Sequence, residues 1–354
     1  MSATQTARRW VFGAAAVLAV LAALRLAVPA ESVPGRMLGA VLDVGYAGSV
    51  LRLTVPIAFA ALGGIFAERA GIINIGIEGF LIVSALTSVI VARRLPWAGV
   101  TGPTALWLAF VAGVLVSVLV AGVFAVLTVR YRSNQVIAGL AVWLVALGLA
   151  PFITLTLFDS SSPTIGTLGT WPIPLLSQVP VVGPVLFDAS PVVYMMLLAT
   201  PLAWYALRYT RLGRRIRAAG ENPKALDTAG VSVSRVRYAG VLISGVLAGI
   251  GGAGFTVGQL GTFVAVGQTS IGGRGFLGIV AYLFGNYNPF AAVGGAMLFA
   301  GFDSLQLRLQ QIGALDVPSE LFGILPFVVV LVTITLVRRT RVPSALGEPY
   351  DGEE

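Results

Sequence analysis

Long apolar runs, each about as long as a bilayer is thick, alternate with short polar joints along most of this chain. A helix of about 20 apolar residues spans roughly 30 Å of hydrocarbon. On that rule the chain predicts spans over residues 10–29, 50–66, 71–92, 104–129, 136–158, 190–207, 238–258, 268–285, 289–306 and 320–337. The expected fold class is an all-α polytopic membrane protein of about ten transmembrane helices, with N- and C-termini cytoplasmic. The first run could be a cleaved leader, but no convincing cleavage site follows it and it is read as a span. Pro151 and Pro201 fall inside predicted spans and mark kinks. Residues 159–189 are polar and Pro-rich, and carry no strong element signal.

Two stretches interrupt the helical pattern at similar places in the two halves. In residues 71–80, Gly71, Gly76 and Gly79 weaken the helix, and Asn74 and Glu78 place polar groups near membrane depth. Residues 268–276 form the second break, Gln268-Thr269-Ser270-Ile271-Gly272-Gly273-Arg274-Gly275-Phe276. Irregular backbone at that depth is tolerated only against protein or beside a water-filled path. Paired interruptions of this kind point to a transport pathway and are compatible with inverted pseudo-symmetry. Packing within the bundle is the alternative.

Asn74 and Glu78 are four residues apart, hence on one face of any helix formed there. With Gln259, Gln268 and Arg274 they are the polar candidates for a substrate pathway, and Phe80, Phe255 and Phe276 could offer stacking surface. The plainer reading stays open: polar side chains that tie broken helix ends together, and Phe residues that fill a core. The run 238–258 is rich in Gly. Its Gly245-xxx-Gly249 and Gly254-xxx-Gly258 pairs permit close backbone approach.

Residues 208–237 are the longest polar stretch, with seven Arg and the chain's only Lys, Lys224. Apolar runs flank it, so it must lie in water, and its charge places it on the cytoplasmic side. The expected orientation puts 16 of 23 basic residues inside. Arg93 and Arg94 fall outside, against that tendency. Asn222-Pro223 starts a short helix over 223–229, with Asn222 as N-cap and Gly230 as the stop. A capped helix of this kind is a rigid peg on which a separate ATPase could push. An orientation-setting basic loop is the alternative.

Composition narrows the function classes. Hydrophobic residues make up 57% of the chain and charged ones 11%, against about 25% charged in soluble domains. The net charge of +8 sits at span ends and in one loop, which argues for membrane orientation and not for nucleic acid. Absence of Cys and His removes disulfides, thiolate chemistry and imidazole metal sites. No GxxxxGK[ST] loop and no nucleophile–base pair occurs. The chain is therefore read as no enzyme, without cofactor or metal, and ATP hydrolysis is expected in a partner chain. Residues 1–345 are read as one transmembrane domain, and the acidic tail 346–354 as solvated and disordered.

Several blocks resemble those of ABC importer permeases. They are Glu68-Arg69-Ala70-Gly71-Ile72-Ile73-Asn74-Ile75-Gly76-Ile77-Glu78-Gly79, Gly220-Glu221-Asn222-Pro223-Lys224-Ala225-Leu226-Asp227-Thr228-Ala229-Gly230, Gly273-Arg274-Gly275-Phe276, Phe284-Gly285-Asn286-Tyr287-Asn288-Pro289 and Asp303-Ser304-Leu305-Gln306-Leu307-Arg308. Their order and spacing over about residues 50–337 is similar to the branched-chain amino acid, simple sugar and nucleoside permease group, most of all to the nucleoside permeases. That resemblance implies an import permease of the bacterial inner membrane. It also implies a cytoplasmic ABC ATPase, a second homologous permease and an extracellular substrate-binding lipoprotein as partners. Glu221, Asn222, Pro223, Lys224, Ala225, Asp227, Thr228 and Gly230 would form the ATPase-coupling element. A pentose or other simple sugar is the alternative substrate, and an ion-coupled secondary transporter the alternative class.

Overall fold

The computed structural model describes residues 28–29, 32–266, 269–311, 340–350 and 352. Nearly all of the first predicted span and all of the tenth lie outside these residues. Among the described residues, six helical segments are long and apolar enough to cross a membrane: Val44–Arg69, Ile77–Ala98, Gly102–Arg130, Gln135–Phe158, Val233–Leu260 and Pro289–Gln311. The chain is an all-α multi-pass membrane protein.

In chain order the helices are α1 (Val33–Leu42), α2 (Val44–Arg69), α3 (Ile77–Arg94), α4 (Gly102–Ala125), α5 (Gln135–Phe158), α6 (Pro191–Tyr209), α7 (Arg211–Glu221), α8 (Pro223–Thr228), α9 (Val233–Phe255), α10 (Arg274–Phe284) and α11 (Pro289–Gln311). A 3-10 turn, Leu95–Ala98, extends α3, and single π turns extend α4 and α9. Between α5 and α6 lie a 3-10 turn, Leu176–Gln178, a π turn, Gly183–Phe187, and a two-residue ribbon, Trp171–Pro172 antiparallel to Asp188–Ala189. Tyr194 anchors it: its hydroxyl accepts from the Ala189 amide (3.1 Å) and donates to the Trp171 carbonyl (2.9 Å).

α2 is apolar on all sides over most of its length and runs through the middle of the bundle, packed by α9, α10 and α11. A helix with no polar face has nowhere to go but the interior. The α4–α9 and α6–α9 contacts depend on missing side chains, as the glycine pairs predict. A Cβ placed on Gly245 would lie 2.4 Å from the Ala121 Cβ of α4, and one on Gly254 would lie 2.3 Å from Val192 Cγ1 of α6. Buried serines reinforce the close faces. Ser117 donates to the Gly245 carbonyl (2.8 Å) and Ser84 to the Gly249 carbonyl (2.6 Å). In a low-dielectric bundle such side-chain donors hold neighbouring helices together.

Three expectations change. The predicted eighth span is an 11-residue helix, α10, which at 1.5 Å per residue reaches about 16 Å and cannot cross the bilayer. The basic stretch is no loop. Arg211–Glu221 is helical because Thr210 caps it (Gly213 amide to Thr210 hydroxyl, 3.0 Å) and because Gly213, Ile216, Ala219 and Gly220 make one small apolar face against the bundle, with Arg211, Arg214 and Arg215 turned away. The described part of the acidic tail is also not a free solvated end. Residues 340–350 lie across one end of the bundle with specific hydrogen bonds, described below.

Candidate functional site

The two interrupted stretches meet. After α2 ends at Arg69, the chain turns at Gly71 (φ +90°) and runs non-helically to Gly76 before α3 begins. This segment is buried, so its backbone needs partners. The Ile73 amide donates to Gln135 Oε1 of α5 (2.7 Å), and Asn74 Nδ2 donates to Ser244 Oγ of α9 (2.9 Å). Asn74 therefore precedes α3, and it does not share a helical face with Glu78 as four-residue spacing had suggested. Its Oδ1 is buried without a hydrogen-bond partner.

Glu78 lies in the first turn of α3 and is 1% exposed. Its carboxylate reaches across to the start of α10, accepting from the Gly273 amide at Oε1 (2.9 Å) and the Gly275 amide at Oε2 (2.6 Å). Gly273 is the N-cap of α10 in the left-handed region (φ +83°), with no cap side chain of its own. Glu78 supplies the missing acceptor and sets a negative charge at a helix N-terminus, where the dipole favours it. Only Gly fits at 275. A Cβ there would lie 2.7 Å from the Glu78 Cα and 2.9 Å from its amide nitrogen. The carboxylate is thus the tie between two broken helices.

Arg274 sits in the same first turn, where a cation is disfavoured, and is neutralised by Asp303 of α11 (2.6 Å). Its guanidinium also donates to the Ser270 and Ile271 carbonyls and lies 5.0 Å from the Phe255 ring centroid. The three candidate phenylalanines each have a different neighbour. Phe80, fully buried, meets Phe124 edge-on (6.0 Å), Phe276 meets Trp143 (5.2 Å), and Phe255 carries Arg274. They form no shared stacking surface in this conformation. Gln259 lies in the π turn after α9 with a buried, unpartnered Nε2. Gln268 lies outside the described residues.

At the end of the bundle near Gly71, α7 and α8 follow one another, separated by the non-helical Asn222 (φ −151°). Asn222 caps α8 through its Oδ1 and the Ala225 amide (3.1 Å), and Pro223 opens the helix. Thr228 closes on the Ala225 carbonyl (3.1 Å), and Gly230 (φ +75°) turns the chain away with its amide on Asp227 O (2.8 Å). Leu226 plugs into the bundle, while Glu221, Lys224, Ala225 and Thr228 face outward.

Sequence reading missed a second tie at this end. The Tyr287 hydroxyl donates to Glu68 Oε2 (2.7 Å), and the Arg69 guanidinium lies 5.1 Å from the Tyr287 ring centroid. Burial, and then the Glu68 carboxylate beside it, push the Tyr287 phenol far above its ordinary value, so it stays a donor. Asn286 and Tyr287 both have positive φ (49° and 58°), which turns α10 into α11. The run Asn286-Tyr287-Asn288-Pro289 is the one signal in the sequence for that turn.

The opposite end accounts for Arg93 and Arg94. Arg94 lies 4.4 Å from the Trp97 ring centroid, and Arg93 lies 5.5 Å from that of Phe158, at the mouth of a cavity of about 660 Å³ that also touches Asp159. They sit in an aromatic rim typical of a membrane interface.

A bundle of membrane-spanning helices in which the start of one, α3, is tied to the start of a short inner helix, α10, with a capped peg at one end, fits a transport subunit. The profile of the family described as "Branched-chain amino acid transport system / permease component" matches residues 46–334. The nucleoside ABC transporter permease protein NupC of Lactococcus lactis subsp. cremoris is 35% identical over 306 residues, covering 85% of this chain and 95% of that protein. The guanosine ABC transporter permease protein NupQ of Bacillus subtilis is 34% identical, with 85% and 95% covered. The putative glucose ABC transporter permease protein TsgC13 of Haloferax volcanii is 33% identical, with 88% and 99% covered. No solved structure matches. The chain belongs to the branched-chain amino acid transport system permease family.

Proposed function

We propose that this chain is the membrane-spanning permease subunit of an ATP-driven nucleoside importer in a bacterial inner membrane, with both termini in the cytoplasm. ATP is hydrolysed in a separate ATPase chain. A second, homologous permease completes the channel, and an extracellular substrate-binding lipoprotein delivers the solute. The observation that carries the reading is α8. A six-residue helix capped at both ends and plugged by Leu226 is stiff enough to pass a push from a partner into α7 and α9 without bending. Glu221, Asn222, Pro223, Lys224, Ala225, Asp227, Thr228 and Gly230 make up that element. The basic charge around it favours a cytoplasmic position, and the names of NupC and NupQ favour nucleosides.

Alternating access then acts on the joint of α3 and α10. Glu78 holds the helix starts together, so moving α9 against α2 and α3 moves both broken elements. Asn74 and Gln259, each with an unpartnered buried polar atom, are the groups free to bind a solute when the joint opens. A simple-sugar substrate is the second reading, favoured by the glucose assignment of TsgC13. Uptake of labelled nucleosides into proteoliposomes holding the full complex tests the substrate, with glucose and pentoses as competitors. Nucleoside uptake that needs internal ATP and ignores excess sugar supports the reading. Sugar uptake in its place overturns the substrate, and uptake driven by an ion gradient without ATP overturns the class.

A further inference from the structure

Residues 340–350 form a strap that crosses the end of the bundle where α8 stands, and its hydrogen bonds reach α7, α8, α9, the Gly71 turn and the α10–α11 turn. The Arg341 amide donates to Asn286 Oδ1 (2.9 Å) in the α10–α11 turn. Ser344 donates to Glu221 Oε2 through its hydroxyl (3.2 Å). The Ala345 amide donates to the Gly220 carbonyl at the end of α7 (2.8 Å), and two residues on the Gly347 amide donates to the Gly71 carbonyl at the start of the first break (3.1 Å). The Glu348 carbonyl accepts from the Arg237 guanidinium of α9 (2.9 Å), and the Tyr350 hydroxyl donates to Asp227 Oδ2 of α8 (2.8 Å).

The docking is built and not incidental. Arg237 is 3% exposed, and the Glu348 carbonyl is its one hydrogen-bond acceptor among the described residues. A buried guanidinium left without that acceptor is strongly disfavoured, so the strap stays down. Ala345 is buried against the bundle. Gly347 has φ +82°, and a Cβ on it would lie 2.8 Å from Ile73 Cδ1, so the strap approaches the first break as closely as its backbone allows. Apart from Leu226, α8 itself has little hold on the bundle.

We infer that this C-terminal strap is a transmission element, with Tyr350 as a positioning residue: it links α8 directly to the Gly71 turn and to α9, so that a push on α8 reaches the broken helices without passing through the α7–α8 hinge alone. The inference rests on the reading of α8 as the ATPase contact. It adds that the linkage runs through hydrogen bonds from strap to helix, of which Tyr350–Asp227 is the distal one.

The test uses the full complex, with its ATPase, second permease and binding protein, in proteoliposomes. ATP hydrolysed per solute transported is measured for wild type, Tyr350→Phe and a chain truncated after Pro343. A fold or packing role would change the amount of complex but not this ratio. The ratio should rise about threefold in Tyr350→Phe and at least tenfold on truncation, while the ATPase still co-purifies. Spin labels on α8 and on the strap should keep one separation between the nucleotide-free and nucleotide-trapped states. If truncation prevents assembly, Tyr350→Phe and the label separation still decide. An unchanged ratio in Tyr350→Phe together with a changing separation overturns the inference. Failure of the strap variants while Pro223→Gly uncouples the complex defeats the strap alone. Full coupling in Pro223→Gly defeats the reading of α8.

Discussion

Replacing Glu78 by Ala takes the acceptor from two backbone amides at the start of α10, those of Gly273 and Gly275. Hydrogen bonds to a charged partner contribute about 1.5–3 kcal/mol each, and a buried donor left empty costs a comparable amount. The Glu78 side chain is buried, so solvent screening does not reduce the figure for the Gly275 amide; water can reach Gly273 in part and takes back some of its share. The expected loss is about 3–5 kcal/mol, a large part of the roughly 5–15 kcal/mol by which folded proteins are stable. Glu78→Gln keeps one acceptor and turns an NH2 toward the other amide, so it should lose about half as much, about 1.5–3 kcal/mol. Gly275→Ala attacks the same joint from the other side, by steric overlap with the Glu78 backbone. Melting of the assembled complex in nanodiscs, with hydrogen exchange at the amides of 273 and 275, reads the result. The order of melting temperature should be wild type, Glu78→Gln, then Glu78→Ala, with exchange at the two amides speeding up in the same order. Glu78→Ala melting within about 1 °C of wild type, with unchanged exchange, would refute the tie between the broken helices.

Other outcomes follow from the same geometry. Asn222→Ala removes the α8 cap and should cost about 0.5–2 kcal/mol locally, read as faster exchange in 223–228 and as weaker ATPase co-purification. Asp303→Ala strands the Arg274 guanidinium, and adding Arg274→Ala should restore part of the lost melting temperature, because removing both partners is milder than removing one. Gly252→Ala would put a Cβ 2.2 Å from the Leu81 carbonyl and should cost about 1–3 kcal/mol by forcing α9 off α3, seen as a lower yield of folded complex. Tyr287→Phe removes the hydrogen bond to Glu68. Since the folded phenol is held above its unfolded value of about 10, that bond is fully present below pH 10 and is lost only as pH rises beyond. The melting difference between Tyr287→Phe and wild type should therefore stay constant from about pH 6 to 9.

By itself the sequence determined the membrane class, the places where helices break, the peg at 222–230 and the close glycine faces of α9. These follow from short-range causes: apolar length against bilayer thickness, helix-breaking Gly, an Asn-Pro cap, a missing Cβ. It also held the repeat of small apolar residues in α7, which the density of Arg obscured. Only the tertiary structure decided what the buried polar groups are for. Glu78 is separated from Gly273 and Gly275 by nearly two hundred residues of chain, and no local pattern states that its carboxylate caps a helix from the other half. The acidic tail looked free because its composition is polar, yet its Gly347 amide binds the Gly71 carbonyl and its Glu348 carbonyl binds Arg237, and backbone hydrogen bonds leave no trace in residue type. Side-chain character determines where a segment can live; which donor meets which acceptor is decided when the helices pack.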